Sequence, residues 1–355
     1  MEGEVKNMIL VWSTVVASLY YCQRVGKIFP SGIARHLAIF PVVFLFFLLP
    51  LNLTSIHFGG TTSFFIAWLA SFKLILFAFN KGPLSSNSSI PPSRFILLAC
   101  FPIKFHQSDH QLSQDATAEK KTHKSPLIYV AKIVIFAVIL RIYDYKEQLH
   151  PKIILFCYCL HVYFMLEMVL ALVAALTKAL VHVELEEQFN EPYLATSLQD
   201  FWGRRWNLMV PNILQPTVYH PVRSVAARFM DRKWAAIPGV LATFLVSGLM
   251  HELVLYNIGR LRPSGEMMCF FLIHGLSLSV EIVIKKILRG KFSVPGIVSG
   301  PLTLAYVIYT SFLLFFPPFL RSKADVKGCT ESLAFIEFIK NHRLVGPNDI
   351  ACPFL

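Results

Sequence analysis

The chain has 355 residues, of which 55% are apolar before glycine is counted and only 15% are charged, whereas soluble domains carry about 45–50% apolar residues with glycine included and about 25% charged. That balance excludes a soluble globular protein and predicts one polytopic membrane body, an all-α bundle of roughly 7–9 spans, because backbone polar groups in lipid must be paired within the chain. The formal net charge of +12 does not indicate nucleic acid: the basic residues fall in short segments between apolar runs, where they set topology and meet anionic headgroups or an anionic substrate.

Taken in order, residues 8–22 predict a retained first helix rather than a signal peptide, since the preceding Glu2 and Glu4 are acidic and no small-residue cleavage site follows. Residues 37–53 and 61–79 predict two further spans with a short turn containing Gly59 and Gly60 between them, and Lys73 within the third snorkels or faces protein. Asn52-Leu53-Thr54 and Asn87-Ser88-Ser89 match glycosylation acceptors, a pattern common by chance. Residues 80–92 are rich in Ser, Pro, Gly and Asn and mark a loop, and residues 95–105 are apolar but short, which suits an interfacial or re-entrant segment, completing an N-terminal region 8–103.

The segment 104–125 reads as a cytosolic loop; His106, His110 and His123 within it lack metal-ligand spacing, so no metal site is expected. Residues 126–142 and 153–180 predict the central spans, 126–180 as a region, with His161 as a helix-packing group. Two crossings separate the loop 104–125 from the segment after Leu180, so both lie on one side, and their basic residues place that side in the cytosol. Residues 181–234 are too polar to span and too aromatic for a free linker, which predicts short helices at the membrane interface with Trp202 and Trp206 as anchors. The C-terminal spans occupy 235–320, and Pro301 with the Pro317–Pro318 pair leaves residues 295–320 as one span or two partial ones, with the side of the tail 321–355 undecided. The seven cysteines form no Cys-x-x-Cys and no paired framework, and they are expected to act as buried small hydrophobes.

The chemistry concentrates in residues 235–258, where His251 stands within an apolar run long enough to cross a bilayer. An ionisable side chain at that depth is costly and is a functional-site hypothesis, the alternative being a histidine bonded to a neighbouring helix. A neutral imidazole there can accept the proton of a hydroxyl as its oxygen attacks an acyl carbonyl. Asn207 of the preceding segment can donate to the developing oxyanion or hold the imidazole or substrate, provided that segment folds back into the bundle. Arg204, Arg205, Arg223, Arg228, Arg232 and Lys233, with Trp202 and Trp206 among them, are candidates for a polyanionic ligand, the alternative being topology charges. Ser247, Glu252, His274 and Glu281 are candidates for lining a substrate tunnel; Glu252 points about 100° away from His251 and is not its orienter, and His274 and Glu281 suit pairing with other helices as well.

The stretch Asp200-Phe201-Trp202-Gly203-Arg204-Arg205-Trp206-Asn207, with Ser247 to Glu252, resembles the signature of the membrane-bound O-acyltransferase superfamily, and within it the plant wax synthases, the long-chain-alcohol O-fatty-acyltransferases. Leu49-Pro50-Leu51-Asn52-Leu53 and Phe77-Ala78-Phe79-Asn80-Lys81-Gly82-Pro83 extend the similarity over most of the chain. The resemblance implies a single membrane-bound O-acyltransferase domain with an internal tunnel in the endoplasmic reticulum membrane. Fatty acyl-CoA is the implied co-substrate, long-chain alcohol the acceptor and no further cofactor is implied, with His251 as the catalytic residue and Asn207 as its upstream partner. Esterification of a sterol or diacylglycerol is the first alternative. A proton-coupled transporter using His251, His274 and Glu281 ranks below it, because that reading requires internal repeats and none is visible.

Overall fold

The computed structural model describes residues 2–85, 90–102, 126–181, 187–288 and 294–343, with residues 345, 346, 349, 350 and 352. The histidines of the 104–125 loop and the Asn87 acceptor lie outside these residues. Among the described residues there is no strand, and seven helical stretches are long and apolar enough to cross a membrane. The chain forms two compact units, residues 1–102 with 187–353 and residues 103–186.

In the first unit, α1 (Glu2–Ile28) and α2 (Ile33–Leu48) precede α3 (Ile56–Ala78), the most enclosed of the spans. The expected turn at Gly59 and Gly60 is corrected: both lie inside α3, because Ser55 caps the helix earlier, its Oγ accepting the Phe58 N–H at 3.1 Å. The helix α4 (Pro92–Cys100) is short and buries Phe95, Leu98, Ala99 and Cys100. Lys73 of α3 is buried against its C-terminal end, donating to the Leu98 and Phe101 carbonyls at 2.5 and 2.7 Å, where the helix dipole favours a cation.

In the second unit, α5 (Pro126–Ile142) and α6 (Pro151–Val181) are joined through a 3₁₀ turn over Tyr143–Gln148. Lys132 of α5 and Glu167 of α6 pair at 2.6 Å with both side chains enclosed, which answers the cost of each charge in an apolar setting. His161 packs edge-on against Phe136 at 5.0 Å, with its Nδ1 3.3 Å from the Tyr143 hydroxyl.

Residues 187–235 return to the first unit. A turn at Leu198–Asp200 passes into a wide π-type turn at Phe201–Arg205, and α7 covers residues 209–226. The spans α8 (Ala236–Gly259) and α9 (Glu266–Leu288) pack closely through small residues. A Cβ on Gly248 would stand 3.1 Å from the Met268 Cα, and one on Gly275 would stand 2.9 Å from the Phe244 Cβ. Residues Gly296–Arg321 form one span, α10, in which Pro301 and the proline pair are accommodated and the backbone widens at Ser311–Phe315. The last helix, α11 (Ala324–Asn341), leads into a disulfide between Cys329 and Cys352. That bond corrects the expectation of seven unpaired cysteines: the partners are 23 residues apart and share no motif, so only the fold brings them together. Cys269 departs from it too, since it is exposed.

Hydrogen bonds sort the connections of the first unit to two ends. At one end Glu4 accepts from the N–H groups of Thr54 and Ser55, each at 2.7 Å, and Arg260 donates to the Leu51 and Leu53 carbonyls at 2.9 and 2.8 Å. There too Lys327 reaches the Ile258 carbonyl, and Glu331 binds residues 55–57. The tail beyond Arg321 therefore emerges at the end that holds the N-terminus. At the other end Gly32 N–H meets the Ala78 carbonyl at 2.8 Å, Leu198 N–H meets Glu281 at 2.9 Å, and Lys286 meets the Lys233 carbonyl.

Candidate active site

His251 lies in the second half of α8, half-buried, with its ring among three aromatic neighbours. Phe271 of α9 lies 4.2 Å away between centroids, Trp68 of α3 meets it edge-on at 5.4 Å, and Phe315 of α10 stands at 6.3 Å. Trp68 and Phe315 both lie where their helices widen into π-type turns, Ser63–Ala70 and Ser311–Phe315, a backbone feature frequent at functional sites.

The imidazole Nδ1 is 2.7 Å from the Ser247 carbonyl one turn back. A carbonyl oxygen only accepts, so Nδ1 carries the hydrogen and Nε2 keeps its lone pair. Nε2 has no hydrogen-bond partner among the described residues. The ring is thus oriented by its own helix with Nε2 left to accept. Glu252 does not orient it: one carboxylate oxygen, Oε1, accepts the Met268 N–H at 3.2 Å.

Asn207 sits in the left-handed region at φ 44°, a conformation that Asn tolerates better than most residues. The following backbone is clasped to residue 188: Leu208 N–H donates to the Gln188 carbonyl at 2.9 Å and Met209 N–H to its side-chain oxygen at 3.0 Å. This folds the chain back into the bundle and aims α7 along α3 and α8. Leu214 of α7 packs with Trp68 and Met250, while Met209 and Ile213 pack with Leu69. Residues of α7 just after Asn207 therefore pack on the Trp68–Leu69 stretch of α3, where Trp68 also meets the His251 ring; no hydrogen bond joins Asn207 to His251 among the described residues. The Asn207 Oδ1 is buried without a partner. A buried carboxamide atom left unpaired is unusual.

Trp202 is not an interfacial anchor. It turns inward against Phe244, Phe270 and Phe271, and its indole N–H donates to His274 Nδ1 at 3.2 Å. That bond leaves the hydrogen of His274 on Nε2, which stands 2.9 Å from the Thr310 hydroxyl. His274 is fully buried with both ring nitrogens engaged, so it ties the Trp202 turn to α9 and α10. Trp206 stacks on Phe201 at 5.5 Å. Glu281 caps the Leu198 turn and binds Lys285 at 2.6 Å, and Ser277 beside it bonds Tyr306.

The basic residues divide. Arg205 is used internally, its Nε 2.7 Å from Asp200 Oδ2 and its Nη1 within reach of the Asn190 and Glu191 carbonyls, which removes it as a free phosphate ligand. Arg204, Arg223, Arg228, Arg232 and Lys233 are exposed at the basic end. Arg223 rests over the Tyr219 ring and Lys233 over Trp234, while Arg204, Arg228 and Arg232 have no partner among the described residues. Sequence reasoning missed the three aromatic walls of His251, the Ser247 carbonyl that sets its tautomer and the Gln188 clasp. The Ser247–His251 spacing of one helical turn is the only signal that pointed to any of them.

The sequence profile of the membrane bound O-acyl transferase family matches residues 185–273, a stretch that contains both Asn207 and His251. An acyl-CoA–sterol O-acyltransferase of Arabidopsis thaliana is 45% identical over 94% of this chain and 96% of its own length. A long-chain-alcohol O-fatty-acyltransferase of Simmondsia chinensis is 44% identical over 93% of this chain and 94% of its own. The chain belongs to the membrane-bound O-acyltransferase family. A probable long-chain-alcohol O-fatty-acyltransferase of Arabidopsis thaliana, 43% identical over 97% of the chain, extends the likeness beyond the profile match to the acyltransferase's N-terminal spans and its C-terminal helix.

Proposed function

We propose that this acyltransferase esterifies a long-chain alcohol with the acyl group of a fatty acyl-CoA, forming a wax ester. The observation that carries the reading is the free Nε2 of His251, its lone pair left available by the Nδ1–H bond to the Ser247 carbonyl, among three aromatic rings. Nε2 takes the hydroxyl proton as the alcohol oxygen attacks the thioester carbonyl. The carbon–sulfur bond then breaks, and the imidazolium returns the proton to the departing thiolate, giving ester and free CoA. Asn207 binds the carbonyl oxygen as charge develops on it, once its carboxamide is turned with the N–H outward. No cysteine thiol or serine hydroxyl hydrogen-bonds His251 among the described residues, which favours direct transfer over an acyl-enzyme.

The bilayer setting fits such substrates, since each methylene moved into water costs about 0.8 kcal/mol. The phosphates of CoA meet the basic end, where Arg204, Arg223, Arg228, Arg232 and Lys233 are exposed. That end faces the cytosol, as the excess of basic connections favours, and the opposite end carries the Cys329–Cys352 bond, which suits the oxidising lumen of the endoplasmic reticulum. A sterol acceptor is the second reading, favoured by the 45% identity to the acyl-CoA–sterol enzyme.

Lipid analysis of a host lacking its own neutral-lipid acyltransferases, fed fatty alcohol and expressing the chain, tests the proposal. Wax esters are the expected product. Sterol esters alone would move the acceptor to the second reading, and absence of any new ester with the protein present would overturn both.

A further inference from the structure

The helix that follows the last span carries an apolar surface that the reaction does not use. α11 begins just past the end of α10 at Arg321, and it is not one of the stretches long and apolar enough to cross a membrane. Its first half lies across span ends. Glu331 accepts from the Ser55 hydroxyl and the Ile56 N–H at 2.7 and 2.8 Å, at the N-terminus of α3, and Lys327 donates to the Ile258 carbonyl at 3.2 Å, at the C-terminus of α8. Each charge has the sign that the neighbouring helix dipole favours. Ala324 is buried, and a Cβ on Gly328 would meet the Ile56 side chain at 4.0 Å.

Ala324, Gly328 and Glu331 follow one another at steps of four and three residues, which places them on one helix face. The same steps lead on to Phe335, Phe338 and Ile339. The face that touches the span ends in the first half of α11 therefore continues as an apolar stripe in the second. There it is uncovered: Phe335 is 62% and Ile339 58% exposed, with Ile336 and Phe338 exposed beside them. Glu337 and Asn341 lie on the other side of the helix and bond each other at 2.7 Å. Polar and apolar sides are thus sorted as in a helix that lies at a membrane interface.

The place of the stripe decides what covers it. The start of α3 and the ends of α8 and α10 are termini of membrane-crossing segments, so they mark the edge of the hydrocarbon layer. A helix laid on those termini, with the same face continuing outward, turns Phe335 and Ile339 toward the acyl chains beside the bundle. Four apolar side chains are too few for a stable protein–protein interface, which takes about 20–30 residues a side. We propose that the second half of α11 lies in the bilayer leaflet at the N-terminal end of the bundle, with Phe335, Ile336 and Ile339 among phospholipid acyl chains and Glu337 and Asn341 toward water. Seated in this way, α11 keeps Glu331 and Lys327 on the ends of α3 and α8, the spans that bring Trp68 against His251. This placement is independent of the reaction and of the acceptor.

The test uses the full chain in phosphatidylcholine vesicles whose acyl chains carry an alkyne tag. A photo-cross-linking residue, p-benzoylphenylalanine, replaces Phe335 in one variant and Glu337, on the opposite face, in another. After irradiation and removal of free lipid, the Phe335 variant should carry about tenfold or more tagged lipid than the Glu337 variant, as a helix with one face in the acyl region requires. Equal lipid adducts at the two positions would overturn the placement. So would a cross-link from position 335 to a second copy of the chain, read as a doubled mass, or to another segment of the same chain. Should the variants fail to accumulate, the wild-type chain in the same vesicles is labelled with an apolar diazirine confined to the bilayer. The peptide containing Phe335–Ile339 should then be labelled to an extent comparable with the α10 span, whereas labelling no greater than that of the exposed connection 260–265 at the same end would overturn the proposal.

Discussion

Asn207 has two separable reasons to be an asparagine, and substitutions can tell them apart. Its backbone is left-handed at φ 44°, where an ordinary L-residue costs roughly 1–2 kcal/mol and glycine costs nothing sterically. Its carboxamide carries a buried atom without a partner, at a cost of about 1–3 kcal/mol in the absence of substrate. Asn207→Gly removes the carboxamide and keeps the turn, so the unliganded protein should be as stable as wild type within about 1 kcal/mol, the relief of the unpaired group offsetting the added chain entropy. Asn207→Ala adds the left-handed penalty and should be less stable than the glycine variant by about 1 kcal/mol. If the carboxamide stabilises the oxyanion, both variants should lose about 100- to 1,000-fold in kcat, the usual effect of removing one such donor. Asn207→Asp, which keeps the shape and loses the N–H donor, should lose as much. The assay is turnover of labelled acyl-CoA with fatty alcohol, paired with thermal unfolding of the purified variants. Near wild-type kcat in Asn207→Gly with loss in Asn207→Ala would refute the chemical role and leave a conformational one.

Other consequences follow from the same geometry. Arg204→Ala should raise the KM for acyl-CoA several-fold without changing stability, whereas Arg205→Ala should lower the unfolding temperature with KM unchanged, because Arg205 is held by Asp200 and two carbonyls; the reverse pattern would return Arg205 to substrate binding. Burial opposes ionisation of Glu331, but hydrogen bonds from His57, Ser55 and the Ile56 N–H outweigh it and hold its pKa below the ordinary carboxylate value. Its stabilising contribution is therefore complete above that ordinary value and is lost as pH falls through the lower folded one. The stability gap between wild type and Glu331→Gln should shrink on acidification, and a gap independent of pH would contradict the ionised clasp. Maleimide mass-tagging of the denatured chain should add two labels after reduction, for Cys329 and Cys352. In sealed microsomes a membrane-impermeant reductant should leave that bond intact, and opening without permeabilisation would reverse the orientation proposed here.

The spans were legible because a membrane core demands about 20 apolar residues for each crossing, and runs of that length stand out. His251 was legible for the same reason, as an ionisable group inside such a run, and Asn207 through its surrounding motif. The walls of the site were not. Trp68 and Phe315 come from helices far apart in the chain and face His251 where each helix widens, a change of face that a regular helical period does not foretell. Arg205 reads as a free cation in the sequence, yet two of its partners are backbone carbonyls at Asn190 and Glu191, which carry no side-chain signature. Trp202 suggested an anchor by composition, but its indole N–H finds His274, 72 residues on, and that pairing draws it inward. The Cys329–Cys352 bond and the Glu331 clasp likewise depend on where α11 docks, which hydropathy does not encode.

The measurement that bears most directly on the account is ester formation by His251→Gln and His251→Ala in isolated membranes, supplied with fatty acyl-CoA and long-chain alcohol and normalised to folded protein. Loss of the lone pair at Nε2 should abolish acyl transfer in both variants while acyl-CoA binding and protein level persist. Ester formation at an appreciable fraction of the wild-type rate in either would show that the imidazole is packing between Trp68 and Phe271 rather than removing the proton.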